Sequence, residues 1–184
     1  MKIGIIVGST RQNRAGKQIG EWVAARAEVR TDATFELVDL ADFNLPFMTS
    51  PVPPAALGKQ YPEPEIQAWS KKIDEFDGFI LVTPEYNHGV PAAFKNAVDV
   101  LGSEWMKKAV GFVSYGADGG VRAVENWRVI LANFNIYDIR NAVSINIFTE
   151  MSDGAFSPNE RRAAEVKDLL DTLVPAAQAM ATLR

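Results

Sequence analysis

The chain contains no cysteine and only one histidine, His88. The first absence excludes disulfides, thiolate zinc sites, iron–sulfur ligation and cysteine nucleophiles, and it fits a reducing compartment. The second argues against a metal site, because a lone imidazole builds a zinc or iron centre only with carboxylates at recognisable spacing. No apolar run approaches the roughly 18–20 residues of a membrane span, and Met1-Lys2 leads directly into a strand-like run without signal-peptide organisation. A cytoplasmic protein with no membrane contact is expected. A basic excess is also missing. With 19 Lys and Arg against 23 Asp and Glu, the net charge is -4, and the basic residues are dispersed, so no nucleic-acid partner is expected. Internal repeats and low-complexity tracts are absent as well.

What is present suits one sizeable core. At 184 residues and 47% apolar content, a single domain over residues 1–184 is expected. Short apolar runs alternate with helix-period segments, the pattern of a parallel sheet covered by helices on both faces. Strands are expected at Ile3–Val7, Phe35–Leu40, Phe79–Thr83, Ala109–Ser114 and about Ala142–Ile147. Helices are expected from Gly16, from about Glu65 to Phe76, from Pro91, and from Val121 to Phe134. Ser157-Pro158-Asn159-Glu160 has the capping-box arrangement for a last helix, which Pro175 should kink or end early. Six of the ten prolines lie between Pro46 and Pro64, too many for a regular element, so this stretch is a surface loop or lid.

The first strand ends in Gly8-Ser9-Thr10-Arg11-Gln12-Asn13-Arg14, just before a helix. A donor-rich loop at a helix N-terminus points unsatisfied N–H groups at a ligand, and the dipole favours an anion there. A solvated βα connection is the equally weighted alternative. If the loop holds phosphate, Gly16-Lys17-Gln18 with Arg11 in place of the first glycine fails the P-loop pattern, and Thr10 and Asn13 break the dinucleotide pattern G-x-G-x-x-G. A single terminal phosphate fits better than a diphosphate.

Two further loops reach the same sheet edge, where ligands bind in open parallel sheets. Thr83-Pro84-Glu85-Tyr86-Asn87-His88-Gly89 suits a flat heteroaromatic ring, or is simply a type I or II turn. Ser114-Tyr115-Gly116, followed by Ala117-Asp118-Gly119-Gly120, offers close backbone approach or only a turn. Glu85 has no visible acid–base partner, so a structural or ring-edge role is expected. His88 is expected at the pocket mouth or exposed, and Trp105 exposed near a subunit contact; the other three tryptophans read as core.

Taken together in this order, Gly8-Ser9-Thr10-Arg11, Thr83-Pro84-Glu85-Tyr86-Asn87 with Pro91 and Lys95-Asn96-Ala97-Val98-Asp99, and Ser114-Tyr115-Gly116 with Gly119-Gly120-Val121-Arg122-Ala123 resemble the NADPH-dependent FMN reductase family, which includes chromate, quinone and azo reductases. The resemblance covers about Met1 to Phe148. It implies a flavodoxin-like three-layer α/β sandwich with a five-stranded parallel sheet in order 2-1-3-4-5, non-covalent FMN, and a homodimer or homotetramer with pockets beside subunit contacts. By the same resemblance, Ser9 and Arg11 hold the FMN phosphate, Pro84, Glu85, Tyr86 and Asn87 the isoalloxazine edge, and Ser114, Tyr115 and Gly116 the other side of the ring. Arg14 stands where relatives often carry serine; it either replaces that contact or points into solvent. The implied activity is two-step hydride transfer from NADPH or NADH to FMN and then to a small-molecule acceptor such as a quinone, azo compound, free flavin or metal oxyanion, with no dedicated catalytic side chain. Backbone N–H groups near Asn87 and Gly89 are candidates for stabilising the reduced ring. A flavodoxin-type electron carrier and a flavin-free nucleotide- or phosphosugar-binding domain are the rivals.

Overall fold

β-Branched residues crowd the first strand. Ile3, Ile5, Ile6 and Val7 have stiff side chains that pack well on a pleated surface, and all four are fully buried in β1 (Lys2–Val7). The computed structural model describes all residues, Met1–Arg184. It continues with α1 (Ala15–Ala27), β2 (Thr34–Asp39), α2 (Pro64–Asp74), β3 (Gly78–Pro84), α3 (Ala92–Asp99), β4 (Ala109–Gly116), α4 (Val121–Ala132), β5 (Tyr137–Asn146), the two-residue strands β6 (Met151–Ser152) and β7 (Ala155–Phe156), and α5 (Arg162–Ala181). The five long strands form one parallel sheet in the order β2-β1-β3-β4-β5, with β6 and β7 as a small separate hairpin. Every residue of β3 and β4 is buried, as expected of central strands covered on both faces.

The two faces of the sheet carry separate cores. On one, α2, α3 and α4 bring Ile73, Phe94, Trp127 and Leu131 against Phe79 and Phe112; on the other, α1 and α5 bring Ile19, Val23, Leu169 and Leu173 against Ile80 and Val113. This is the expected flavodoxin-like three-layer sandwich. Chain order reverses between β1 and β3, so their carboxyl ends open the crevice in which such sheets bind ligands.

Four local expectations need correcting. β5 starts at Tyr137, five residues before the expected Ala142, because a register shift between Val110 and Phe112 lets Tyr137 and Asp138 pair with Ala109 and Val110. Asp138 and Arg140 alternate with Ile139 there on a sheet edge, so the segment has no apolar run to read. The last helix starts at Arg162 rather than Ser157, since Glu150 takes the backbone of the would-be cap: Ser157 N donates to its carbonyl at 2.9 Å and Asn159 N to its carboxylate at 3.1 Å. Nor does that helix end early at Pro175: it runs on to Ala181. Pro175 lies on the exposed face, so the carbonyl it leaves unpaired, on Asp171, meets water while Leu173, Val174 and Ala177 keep the helix packed. Finally, Trp105 is 1% exposed. Its indole N–H donates to Val98 O at 3.1 Å, and its ring lies edge-on to those of Phe79 and Trp69.

The proline-rich stretch runs over the surface as expected, but it is clamped. Asn96 Nδ2 donates to Pro46 O at 2.9 Å and Asn96 Oδ1 accepts from Met48 N at 3.1 Å. At its far end the Tyr61 hydroxyl donates to the fully buried Glu104 carboxylate at 2.8 Å, joined there by Ser70 Oγ at 2.6 Å and Gly102 N at 3.0 Å. No helix is long and apolar enough to cross a membrane.

Candidate functional site

The loops leaving β1, β3, β4 and β5 surround a cavity of about 550 Å3 at the carboxyl edge of the sheet. Its polar side is the β1–α1 loop. Gly8 lets that loop sit down on α3, since a Cβ there would fall 1.8 Å from the Phe94 ring. Ser9 is only 1% exposed, and its hydroxyl shares a 2.9 Å hydrogen bond with the Tyr86 hydroxyl. Arg11 is exposed, with its guanidinium 5.9 Å from the centre of the Tyr86 ring.

Arg14 immediately precedes α1 and lines the cavity rather than pointing into solvent. Its Nη2 pairs with the Asp39 carboxylate at the end of β2, which ties two neighbouring strand ends together. Its Nε is buried without a partner. Tyr115, on β4, sends its hydroxyl to the first turn of α1, where a Cβ on Gly16 would meet it at 2.3 Å. That hydroxyl is also buried and unpartnered, and burial raises its pKa above the ordinary phenol value. A helix N-terminus with two orphaned buried donors beside it is chemically unfinished: buried polar groups are almost always paired, and an oxyanion would accept from both.

The β3–α3 loop forms the second wall. Tyr86 N donates to Gly89 O at 3.1 Å and Gly89 N to Tyr86 O at 3.0 Å, closing a tight hairpin with Asn87 and His88 at its tip. Their φ values of 49° and 64° are those of a type I′ turn, not the type I or II expected. The hairpin sends both tip side chains into solvent, so Asn87 and His88 do not line the cavity, and the Gly89 amide is spent within the turn. Pro84, Glu85 and Tyr86 do line it. The Glu85 carboxylate faces away toward α4, accepting from Arg122 N at 3.0 Å and Arg122 Nε at 2.5 Å. It thereby caps α4 from a neighbouring loop and complements the helix dipole. This is a structural task, in keeping with the absence of an acid–base partner.

From β4, Tyr115 and Gly116 reach the cavity while Ser114 does not. Ser114 is fully buried behind the wall, its hydroxyl donating to Gly119 O at 2.6 Å. The last wall was not foreseen. Ile147 and Phe148, on the turn after β5, and Met151, which opens β6, give the cavity an apolar side. Asn146 fixes this turn: its Nδ2 donates to Ala117 O at 2.7 Å and its Oδ1 accepts from Phe148 N at 2.8 Å. Glu150 fixes it from below, accepting from Asn146 N at 3.3 Å, Asn159 N at 3.1 Å and Arg162 Nη2 at 2.7 Å. Burial opposes ionisation of Glu150, but Arg162 and these amides outweigh it and hold the carboxyl below its ordinary pKa. The signal for this wall was positional, since every strand of a parallel sheet delivers its following loop to the same edge.

The profile of the NADPH-dependent FMN reductase family matches residues 1–150. The chain belongs to that family. Among its relatives, an NAD(P)H-dependent FMN reductase of a Nectria species is 41% identical over 126 residues, covering 66% of this chain. The alignment spans 63% of the Nectria protein's own length, less than two thirds. A 2-hydroxy-1,4-benzoquinone reductase of a Burkholderia species is 30% identical over 143 residues, covering 74% of this chain and 73% of that protein. Among solved structures, the NAD(P)H:acceptor oxidoreductase FerB of Paracoccus denitrificans superposes with a TM-score of 0.73 at 20% identity, covering 97% of this chain and 98% of that one, a likeness of fold. The reductase family's shared fold is thus the one built here. Its matched region ends at Glu150, the residue that anchors the cavity's apolar wall.

Proposed function

We propose that this chain is an NAD(P)H-dependent FMN oxidoreductase that delivers electrons to a small-molecule acceptor. The observation that carries the reading is the convergence of Ser9, Tyr115 and Arg14 on the N-terminus of α1, with the Tyr115 hydroxyl and Arg14 Nε buried and unpaired. That donor set fits one terminal phosphate. Bound FMN would supply a two-electron redox centre that takes hydride from NADPH or NADH and passes electrons on to the acceptor.

The chain's own residues bind and orient. Ser9 and the first amides of α1 would hold the phosphate oxygens, with Tyr115 and Arg14 completing the cradle and Arg11 adding charge at the mouth. Asp39 keeps the Arg14 guanidinium fixed. Pro84, Glu85 and Tyr86 would offer a rigid edge to the ring, and the Tyr115–Gly116 backbone would hold its other side. Asn87 and Ser114, outside the cavity wall, act through the turn and the strand that carry them. No side chain is required to move a proton. The relative named a 2-hydroxy-1,4-benzoquinone reductase supports an acceptor of that kind, and the NAD(P)H dependence named for the Nectria relative disfavours an electron carrier that bypasses nicotinamide. A homodimer or homotetramer and a cytoplasmic setting complete the proposal, the latter supported by the lack of cysteine.

The test is the visible spectrum of FMN-loaded protein without air. NADPH or NADH should bleach the flavin band, and a quinone should restore it with continued turnover. A band that persists with both nicotinamides refutes the enzyme reading.

A further inference from the structure

Ten large apolar side chains are left exposed on this protein, and Phe148 is the one among them that also lines the cavity, at 77% exposure. Its ring pairs with no other aromatic ring, whereas Phe156 further along the chain packs edge-on to Trp22 at 5.5 Å. Its backbone is held in place: Asn146 Oδ1 accepts from its amide at 2.8 Å, and the buried Glu150–Arg162 pair holds the turn from below. A rigid backbone therefore presents an unpartnered aromatic face at the cavity mouth, with Ile147 and Met151 beside it. The cavity's cationic groups, Arg11 and Arg14, lie in the β1–α1 loop, and its hydroxyls come from Ser9, Tyr86 and Tyr115, none of them on this wall.

We propose that Phe148 selects the electron acceptor, stacking on planar aromatic molecules such as quinones and giving no purchase to inorganic complexes or oxyanions. The inference rests on the oxidoreductase reading above and names the acceptor class for the same cavity. Aromatic faces attract one another in offset or edge-on arrangements, and a preorganised ring loses little freedom when a flat molecule settles on it. An oxyanion finds on this wall neither a donor nor a charge. The overall reaction is NAD(P)H plus a proton plus quinone giving NAD(P)+ plus hydroquinone. With ferricyanide, one NAD(P)H reduces two ferricyanide ions and releases a proton.

The variants Phe148→Ser and Phe148→Tyr test this. Binding of a 1,4-naphthoquinone to oxidised, FMN-loaded protein is measured by calorimetry without any nicotinamide. The serine variant should bind about tenfold more weakly, equivalent to roughly 1.4 kcal/mol, and the tyrosine variant within about twofold of the parent. In turnover, the ratio of kcat/KM for the naphthoquinone to that for ferricyanide should fall about tenfold in the serine variant and recover in the tyrosine variant. The proposal is overturned if the quinone binds both variants as it binds the parent, if the two acceptors suffer equally, or if the serine variant loses FMN affinity by the same factor in a fluorescence titration. Parent protein that binds the quinone but oxidises neither nicotinamide would sink the oxidoreductase reading while leaving the Phe148 contact standing.

Discussion

Lys108 offers a quantitative test of the fold at the end of the sheet away from the cavity. It is 3% exposed. Its ammonium donates to Ile73 O in the last turn of α2 at 2.9 Å and lies 5.2 Å from the centre of the Phe79 ring, with no carboxylate in contact. Burial pushes its pKa down from 10.5 to about 8. Because the folded pKa lies below the unfolded one, the unfolded chain holds the extra proton between about pH 8 and 10.5. Stability therefore rises with pH across that window, and the full penalty applies below it. At 1.36 kcal/mol per pH unit, the penalty is about 3 kcal/mol. Lys108→Met removes the titrating group at similar volume. The Ile73 carbonyl still accepts from Phe76 N at 3.3 Å, so the variant does not orphan it. Urea unfolding of both proteins at pH 7 and pH 10 isolates the effect, since all other titrations cancel in the difference. The parent should gain most of about 3 kcal/mol on the variant between those two values. A difference that stays within 0.5 kcal/mol, or that moves the other way, refutes the reasoning.

Three further outcomes follow from the cavity and the cores. Gly8→Ala drives a methyl into the immovable Phe94 ring and should cost about 1–3 kcal/mol or more of stability, whereas Gly16→Ala meets only the far end of Tyr115 and should leave the melting temperature nearer the parent's while weakening FMN binding. Thermal unfolding beside FMN titration separates the two. Arg11→Ala should lower FMN affinity by about 0.5–1 kcal/mol, because the guanidinium is exposed at the mouth and screened by solvent; fluorescence titration at fixed salt checks it, and an unchanged affinity removes Arg11 from the cradle. Glu104→Ala strands the Tyr61, Ser70 and Gly102 donors in the core and should cost roughly 3 kcal/mol or more in urea unfolding, with the proline-rich stretch becoming cleavable by a protease under native conditions.

The central strands were legible because burial on both faces demands unbroken apolar runs, as in Phe79–Val82 and Val110–Val113. The first half of β5 was not, because at the sheet edge Asp138 and Arg140 spend their charge on α4 and solvent, Arg128 meeting Asp138 at 2.6 Å. The start of α5 was hidden for a different reason. A capping motif is local, and Glu150 competes for the same amides from outside it. In the site, Ser9, Arg11, Arg14, Pro84, Glu85, Tyr86, Tyr115 and Gly116 all reach the cavity, since loop chemistry at a strand end is written in adjacent residues. Asn87 and Ser114 do not, because side-chain direction depends on turn type and on strand parity. The Arg14–Asp39 pair and the Phe148 wall join residues far apart in the chain, and no spacing rule connects them.

Asn146 spans the space between two loops with a single carboxamide, giving a hydrogen to Ala117 and taking one from Phe148. The width of the opening on that side is therefore set by the length of one side chain and by the polarity of its two ends. Conversion of that amide to an acid, by mutation or by slow hydrolysis with age, would keep the acceptor and replace the donor with a second oxygen facing a carbonyl. The two loops would then repel where they now hold together, so this small chemical change is where the enclosure is most easily unlatched.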